Sequence, residues 1–331
     1  MAQQSRNGKA FEYACLTAIY NHLSQTTVQK INIVDDEAYQ TAKKDFFSLT
    51  QVDQDKMNMA ATAGILSLIN FEPRLEVPID QSPLTLLIQK DKSARGAHAD
   101  VRDVVCLRKE NDWEIGISCK HNHEAVKHSR LSPKINFGLE WLGEDCSPEY
   151  WEETKPVFDK LQEYKTIPWA EVGNKIDKEN DIYVPLLRAF MKELRRICDM
   201  DVPSTQKLLT YLLGGKDFYK IIQKDSDKAT HLEIFNLSNT LGQRSGKQKP
   251  RLKVTPPILP TKLLDLDFKP DPYNIDGKSK TTVIANFNNG WVIHFRIHNA
   301  SSKVENSMKF DITLKGVPSQ LQKHTSLWQD I

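Results

Sequence analysis

The stretch DVRDVVCLRKENDWEIGISCKHNH, residues 100–123, has two apolar runs on either side of a polar segment, which is the pattern of a β-hairpin. A two-residue turn at Asn111–Asp112 fits between the runs. The second run ends in the tripeptide Ser118–Lys120. A strand that served packing alone would avoid a lysine at this place, because a buried unpaired charge is costly.

The two-residue turn fixes which residues of the hairpin face each other. It pairs Val105 with Ser118 and Asp103 with Lys120. Because successive side chains of a strand point to opposite faces, Asp103, Ser118 and Lys120 project from the same face. The sequence thus predicts a carboxylate, a hydroxyl and an ammonium together at one end of the hairpin. A plain cross-strand salt bridge explains the same pattern without any chemistry.

This group of side chains suits metal-assisted chemistry on a phosphate. Mg²⁺ prefers oxygen ligands and keeps several waters, and Asp103, the Ser118 hydroxyl and the Cys119 carbonyl are the candidate ligands. Lys120 is the candidate to orient or activate the attacking water and to stabilise developing negative charge. Asp100 competes with Asp103 as the metal-binding acid. In a regular strand Asp100 faces the other way, whereas an irregular start of the strand would reverse the choice.

Composition predicts a folded protein without a membrane span. The 331 residues are 39% hydrophobic and 27% charged, which suffices for one large domain or two ordinary ones. No run approaches about 18 apolar residues, and the first residues lack the order of a secretory signal. Five scattered cysteines are typical of reduced thiols, which predicts a cytoplasmic protein. The absence of CxxC and HExxH patterns argues against zinc.

Charge is distributed unevenly, although the net charge is only +2. From residue 244 to the end there are 14 Lys and Arg against 7 Asp and Glu, whereas residues 1–243 have 31 against 36. A basic C-terminal part on a near-neutral chain predicts a surface for a polyanion, and a solvated charged face is the alternative. The segment RSGKQKPRLK, 244–253, has five cations in ten residues and suits phosphate contacts.

The order of elements predicts an α/β fold. Apolar spacing predicts helices over 7–24, with Asn7 as N-cap, and over 36–70, 147–165, 181–200 and 204–215. The C-terminal part is β-rich, with Asn289–Gly290 as a hairpin turn. We expect a mixed central sheet flanked by helices, with helical insertions between residues 125 and 240. Residues 1–243 would form the core and 244–331 a β-rich DNA-recognition part packed on it, unless both form one continuous domain.

The hairpin resembles the signature of the PD-(D/E)xK nuclease superfamily, in which an acid is followed by a strand pair that ends in acid-x-Lys. Asp103 and the tripeptide Ser118–Lys120 stand at the matching positions. Ser118 departs from the pattern, since a second carboxylate is usual there, and this puts binding of two metals in doubt. Members of this superfamily often add a glutamate from the first helix. Glu12 is the matching candidate for a further catalytic residue, and an exposed helix charge is the alternative.

A narrower resemblance extends over most of the chain from about residue 7. The stretches DVRDVV, WEIGISCKHNHEAVKHSRLS and FRIHNASSKVENSMKFDITLKGVP are similar to the HaeIII family of type II restriction endonucleases. The resemblance implies a restriction-endonuclease-like core and a Mg²⁺-dependent enzyme that cuts both strands of DNA in the middle of GGCC, leaving blunt ends. It also implies a cognate DNA methyltransferase that works beside the enzyme without necessarily binding it. Base preference rests wholly on this resemblance.

Several polar residues are candidates for DNA contact, because Arg and Lys suit guanine edges and Ser and Asn suit phosphate oxygens. They are Arg296, His298, Asn299, Ser301, Ser302, Lys303 and Lys309 near the C-terminus, His121 and Asn122 after the hairpin, and Arg244, Lys247, Lys249 and Arg251 in the basic segment. An ordinary polar loop is the alternative for the C-terminal group.

Other functions compete with the restriction enzyme. A DNA-binding protein with an inactive nuclease fold would explain Ser118, but the retention of Asp103 and Lys120 together argues against it. A structure-specific repair nuclease would share the same core. A four-base palindrome favours a two-fold homodimer, because protein symmetry can mirror site symmetry, while a monomer that acts twice is the alternative.

Overall fold

The computed structural model of the chain describes residues 3–78, 82–90, 100–109, 112–122 and 126–330, without the side chains of Gln4 and Asp330. Its α-helices are α1 (Gln3–Thr26), α2 (Glu37–Phe47), α3 (Gln51–Ile69), α4 (Pro73–Glu76), α5 (Pro148–Glu163), α6 (Trp169–Val172), α7 (Val184–Met200) and α8 (Val202–Leu213). Short π-helical segments cover Gly138–Leu142 and Lys178–Tyr183, and 3-10 turns cover Gly173–Lys175, Asn288–Gly290 and Trp328–Asp330.

The strands form two sheets. They are β1 (Ile31–Ile33), β2 (Leu84–Ile88), β3 (Val104–Arg108), β4 (Trp113–His121), β5 (Lys127–Leu131), β6 (Phe218–Lys224), β7 (Ala229–Phe235), β8 (Leu263–Pro270), β9 (Lys278–Phe287), β10 (Val292–His298), β11 (Met308–Gly316) and β12 (Lys323–Leu327). A mixed seven-stranded sheet has the order β1-β2-β3-β4-β6-β7-β12, and an antiparallel five-stranded sheet has the order β5-β11-β10-β9-β8. The predicted α/β fold, with a mixed central sheet and a β-rich C-terminal part, is confirmed.

Helices α1 and α3 cover one face of the seven-stranded sheet. The apolar stripe of α1 is buried there, with Phe11, Cys15 and Ile19 fully inaccessible to solvent. The prediction of Asn7 as N-cap was wrong, because α1 begins at Gln3 and Asn7 lies inside it. No proline or glycine stands between these two positions, so nothing in the chain ends the helix there.

The region 36–70 forms two helices rather than the single predicted one. Asp36 caps α2 by accepting hydrogen bonds from two main-chain amides. Thr50 has an extended backbone and caps α3 by accepting from the amide of Asp53. A residue with an extended backbone at an N-cap cannot continue the preceding helix, so the apolar pattern runs on while the helix breaks.

A second core lies between helices α5, α7 and α8 and the inner face of the five-stranded sheet, and Phe218 and Phe235 of the seven-stranded sheet join it. Helix α7 buries an apolar face there, and the ring of Phe190 contacts the rings of Phe295 and Phe310 at centroid distances of 5.1 and 5.0 Å. Helices predicted over 147–165, 181–200 and 204–215 are confirmed as α5, α7 and α8, with boundaries shifted by a few residues. Asn289 and Gly290 connect β9 to β10, both with positive φ, as the predicted hairpin turn requires.

Each sheet contains a strand from the other predicted part of the chain. Strand β12, near the C-terminus, pairs with β7 in the seven-stranded sheet, while β5 pairs with β11 in the five-stranded sheet. Neither sheet is therefore built from one part of the sequence alone. The division at residues 243 and 244 stays a prediction about folding units.

All five cysteines are free and buried, as expected of reduced thiols. Within the described ranges, no helix combines the length and the apolar character needed to cross a membrane.

Candidate active site

Asp103 lies where β3 begins and β4 ends, and one of its carboxylate oxygens accepts three hydrogen bonds. Its Oδ2 accepts from the Cys119 amide at 2.7 Å, from Lys120 Nζ at 3.2 Å and from Ser118 Oγ at 3.3 Å. The side chains of Asp103 and Lys120 are 22% and 27% exposed, so the pair is open to solvent. No donor in the described part of the chain reaches the second oxygen, Oδ1. The carboxylate is thus fixed in place with one oxygen left for a ligand.

The hairpin register differs from the predicted one by two residues. Val105 pairs with Gly116 rather than Ser118, and the Asp103 amide donates to the Ile117 carbonyl at 2.8 Å. The connection therefore spans residues 109–112 instead of the two predicted turn residues 111 and 112, and residues 110 and 111 lie outside the described ranges. A shift of two residues preserves the face of every side chain, because strands alternate with period two. For this reason the predicted grouping of side chains survives a wrong register.

Asp100 is held by a different partner. Arg102 donates to it from its amide, Nε and Nη2 at 3.1, 2.8 and 2.7 Å, and Gln89 donates at 2.8 Å. Burial raises the pKa of Asp100, but these hydrogen bonds outweigh it and the pKa lies below its usual value. The Arg102 side chain lies over Gly116, where a Cβ would come within 1.9 Å of it. Asp103, not Asp100, is therefore the acid that meets Lys120.

Lys120 remains an ammonium in this setting. Burial alone would lower its pKa, but the charge and hydrogen bond of Asp103, with further contributions from Cys119 and Glu12, raise the pKa above its ordinary value. Glu12 lies on α1, is only 6% exposed, and accepts from Lys9 at 3.1 Å. Its charge acts on both Lys120 and Cys119. The glutamate of the first helix thus lies near the acid–lysine pair.

Sequence reasoning missed a second lysine beside this group. Strand β6 runs parallel to β4 and pairs Lys220 with Ser118, so the two side chains share a face. Lys220 is 4% exposed, and its Nζ lies 3.5 Å from Glu233 Oε2 on the next strand. A lysine within the apolar run FYKII was the available signal, but its neighbour in space is about 100 residues distant in sequence.

The residues after Lys120 turn toward one aspartate. His121 Nε2 lies 3.2 Å from Asp225 Oδ2, and Asn122 Nδ2 donates to the same oxygen at 2.7 Å. The Asp225 amide donates back to Asn122 Oδ1 at 3.0 Å. Burial raises the pKa of Asp225, but hydrogen bonds from Gln223 and Asn122 and the charge of His121 outweigh it and lower the pKa. His121 and Asn122 are thus held at the edge of the candidate site.

A charged surface covers the outer face of the five-stranded sheet. Arg296 on β10, Asp311 on β11 and His128 on β5 are direct neighbours across the strands. Asp311 Oδ1 lies 2.5 Å from His128 Nδ1, and its Oδ2 lies 3.0 Å from His298 Nε2. Lys309 Nζ is 4.0 Å from Asp311. The sequence predicted Arg296, His298 and Lys309 as DNA contacts, and His128 joins them because its strand pairs with this sheet from the other part of the chain.

Many polar groups of the loop after β10 form hydrogen bonds within the loop or with neighbouring elements. Asn299 accepts from the Tyr183 hydroxyl at 3.3 Å and donates to the Ser301 carbonyl at 2.6 Å. Ser301 Oγ donates to the Lys303 carbonyl, and the Ser302 carbonyl accepts from the Trp169 amide. Contact of these residues with DNA stays a prediction.

The basic segment lies at the opposite end of the seven-stranded sheet from Lys120. The Leu252 amide donates a hydrogen bond to the carbonyl of Asn70 at the C-terminal end of α3. Helix α3 has 19 residues and therefore spans about 28 Å. Arg251 forms an ion pair with Glu76 at 2.9 Å, and the Arg244 carbonyl accepts from Arg74. Lys247 and Lys249 lie in the same segment, and their predicted phosphate contacts are thus separate from the Asp103 site.

Comparisons with known proteins point to one family. Residues 8–318 match the family model described as HaeIII restriction endonuclease. The chain is 40% identical over 329 residues to the type II restriction enzyme HaeIII of Haemophilus aegyptius, which covers 98% of this chain and 98% of that enzyme. No solved structure matches significantly. The chain therefore belongs to the HaeIII restriction endonuclease family, and it is a type II restriction endonuclease, a site-specific deoxyribonuclease.

Proposed function

We propose that the enzyme cuts both strands of DNA in the middle of GGCC, leaving blunt ends, with Mg²⁺ as its cofactor and Asp103 and Lys120 at the reacting phosphate. The observation that carries the proposal is the set of three donors on Asp103 Oδ2, which fixes the carboxylate and leaves Oδ1 without a donor among the described residues. The choice of GGCC rests on the resemblance to the HaeIII family. Cytoplasmic location is proposed with it, since the substrate is DNA.

The donor set fits Mg²⁺ better than a metal held by many side chains. Type II restriction endonucleases generally depend on a divalent metal, yet no group of three or more His, Cys, Asp or Glu within the described ranges is arranged to hold one. Mg²⁺ binds through one or two carboxylates and keeps several waters. Asp103 would hold it, with Glu12, the Ser118 hydroxyl and the Cys119 carbonyl as further oxygen donors. The Cys119 carbonyl suits this role because its own amide points to Asp103, and the two groups of a strand residue point to the same side.

Lys120 supplies a fixed positive charge at the reacting centre. When bound, Mg²⁺ would add positive charge opposite the scissile phosphate and make water more acidic. Since the raised pKa keeps Lys120 protonated at neutral pH, its ammonium acts as a hydrogen-bond donor and not as a general base. It would orient the attacking water and stabilise the negative charge that develops on the phosphate.

The outer face of the five-stranded sheet would hold the DNA. Arg296 is exposed, and among the described residues nothing forms an ion pair with it. Arg is suited to a bidentate contact with guanine O6 and N7, of which GGCC offers two on each strand. Lys309, His298, His128 and Arg130 extend the same face. We propose that a two-fold homodimer presents two such faces to the palindrome.

Digestion of a plasmid of known sequence tests the proposal. Discrete fragments whose ends map to the middle of GGCC, lost with EDTA and in Lys120→Ala, are expected. A Lys192→Ala variant is the matched control, because Lys192 is exposed on α7 with Glu153 as its partner. Fragments that end elsewhere would overturn the specificity. A wild-type protein that retards GGCC DNA but never cuts it would be an inactive DNA-binding relative, as Ser118 in place of an acid would then suggest.

A further inference from the structure

A cavity of about 290 Å³ lies beside the candidate active site and is not used by the mechanism above. The first turns of α1 and α3 and the C-terminal ends of β4 and β6 enclose it. Its lining includes Arg6, Asn7, Lys56, His121, Gln223 and Asp225. Because a water molecule takes up about 30 Å³ of liquid, the cavity has room for a phosphate group with several waters.

Three buried polar atoms of its lining have no hydrogen-bond partner. They are Arg6 Nε, Asn7 Oδ1 and Gln223 Oε1. Gln223 is only 1% exposed, and its other amide atom, Nε2, donates to Asp225 at 2.7 Å. Native proteins rarely leave buried polar atoms unpaired, since each one costs stability. Three such atoms around one cavity point to a ligand or ordered waters that complete them.

The charges around the cavity favour an anion. Asp225 is already satisfied by Gln223, His121 and Asn122. Asp53 accepts from Thr50 and lies 3.9 Å from Lys56. The N-terminal ends of the two long helices α1 and α3 also adjoin the cavity, and their dipoles favour negative charge.

The guanidinium of Arg6 is the cation left for a ligand. No ion pair in the described part of the chain engages it, and its Nε is one of the three unpartnered atoms. Guanidinium groups bind phosphate oxygens through short charge-assisted hydrogen bonds.

We propose that this cavity binds a phosphodiester group that flanks the cut on the same DNA strand, with Arg6 as its direct ligand and Gln223 and Asn7 holding bridging waters. The inference rests on the proposed role of Lys120 at the scissile phosphate. His121 follows Lys120 directly, and adjacent Cα atoms lie about 3.8 Å apart with side chains on opposite faces. A DNA strand that crosses the end of β4 passes from the Lys120 side to the His121 side, and its phosphates rise about 3.4 Å per nucleotide along the helix axis, so a phosphate that flanks the cut can reach the cavity.

Binding measurements with single neutralised phosphates test this site. Wild-type protein and Arg6→Ala are titrated in EDTA with GGCC duplexes in which one phosphate at a time is a methylphosphonate. Arg6→Ala is expected to bind the unmodified duplex about 10-fold more weakly. The slope of the logarithm of its affinity against the logarithm of salt concentration should be smaller in magnitude by about one. One methylphosphonate within two nucleotides of the cut should weaken the wild type by about the same factor and leave the variant nearly unaffected.

Two further variants separate this contact from general effects. Arg195→Ala is the matched control, because Arg195 is an exposed arginine on α7, and it should bind every duplex as the wild type does. Arg6→Lys keeps the charge and should restore the salt slope, which a purely structural role for Arg6 would not do. Unchanged melting temperatures exclude a folding defect.

The inference is overturned if Arg6→Ala binds as the wild type does, or if it loses the same factor on every duplex. If the wild type cuts at GGCC but the methylphosphonate weakens binding of Arg6→Ala as much as binding of the wild type, this inference alone fails. If the methylphosphonate weakens only the wild type and GGCC is not cut, the cavity still binds a phosphate of GGCC DNA, whereas the proposed cleavage and the place of this phosphate beside the cut both fail.

Discussion

The end of the seven-stranded sheet and the outer face of the five-stranded sheet each gather polar side chains around one aspartate, with different results. Asp103 takes all three of its donors on one oxygen and leaves the other for a ligand. Asp311 has a histidine on each oxygen, and the cations around it outnumber it. The first arrangement suits a reacting phosphate, and the second suits holding a polyanion in place.

Asp103→Asn tests the first half of this comparison and should have the largest effect. The amide keeps the shape but loses the charge that holds a cation and keeps Lys120 in position. Cleavage is expected to fall by about 10²- to 10³-fold, since a single electrostatic contact at a reacting centre is worth that much. Single-turnover cleavage of a GGCC duplex measures it. DNA affinity in EDTA should stay close to that of the wild type, and a large loss of affinity would mean that Asp103 shapes the binding surface.

Arg296→Ala tests the second half and should act on binding. Loss of one bidentate guanine contact costs about 1–3 kcal/mol, which corresponds to roughly 5- to 150-fold in affinity. Titration of GGCC and mismatched duplexes measures the loss, and discrimination between them should decrease as well. Arg195→Ala serves as the control for a lost surface charge. Equal weakening on all duplexes would assign Arg296 to a phosphate rather than a base.

Lys220→Met tests whether the second lysine belongs to the fold or to the reaction. The substitution removes the ammonium that pairs with Glu233 on the neighbouring strand. Because the ion pair is mostly buried, losing one partner should lower the free energy of unfolding by about 2 kcal/mol. Urea unfolding measures it beside Lys192→Met, an exposed pair that should cost less than about 1 kcal/mol. Equal stability of the two variants would contradict the structural role.

The pH dependence of the rate tests the charge state of Lys120 and should show the smallest effect. Its folded pKa lies above the ordinary 10.5. A group with a raised pKa keeps its charge, and the stability that its pairing contributes, below the unfolded value, and loses both only as the pH rises through the folded pKa. The single-turnover rate should therefore show no decline from this lysine up to about pH 10. A decline near pH 8 that disappears in Lys120→Arg would contradict the assignment.

The two regions also differ in how far the sequence predicts them. Asp103, Ser118 and Lys120 were grouped correctly although the hairpin register was wrong by two residues, because face parity depends only on odd and even spacing. The location of Glu12 near this group was predicted from the superfamily pattern and not from any feature of its own helix. Local patterns thus sufficed for a site built mostly from one hairpin.

Long-range pairing explains what the sequence did not reveal. Lys220 reaches the site through a parallel pairing of β4 with β6, and His128 reaches the outer face because β5 joins a sheet formed by the last part of the chain. Neither pairing leaves a local signal, since it depends on strands about 100 or more residues apart. The break at Thr50 was hidden for another reason, because the apolar pattern continues through a cap.

The most direct test of the comparison measures cleavage and binding separately for Lys120→Ala and Arg296→Ala. Single-turnover cleavage of a GGCC duplex with saturating enzyme reports the reacting centre, and titration in EDTA reports the binding surface. We predict that Lys120→Ala binds within about twofold of the wild type and cuts about 10²- to 10³-fold more slowly, while Arg296→Ala binds weakly and still cuts once saturated. Cleavage by Lys120→Ala at the wild-type rate would contradict the account.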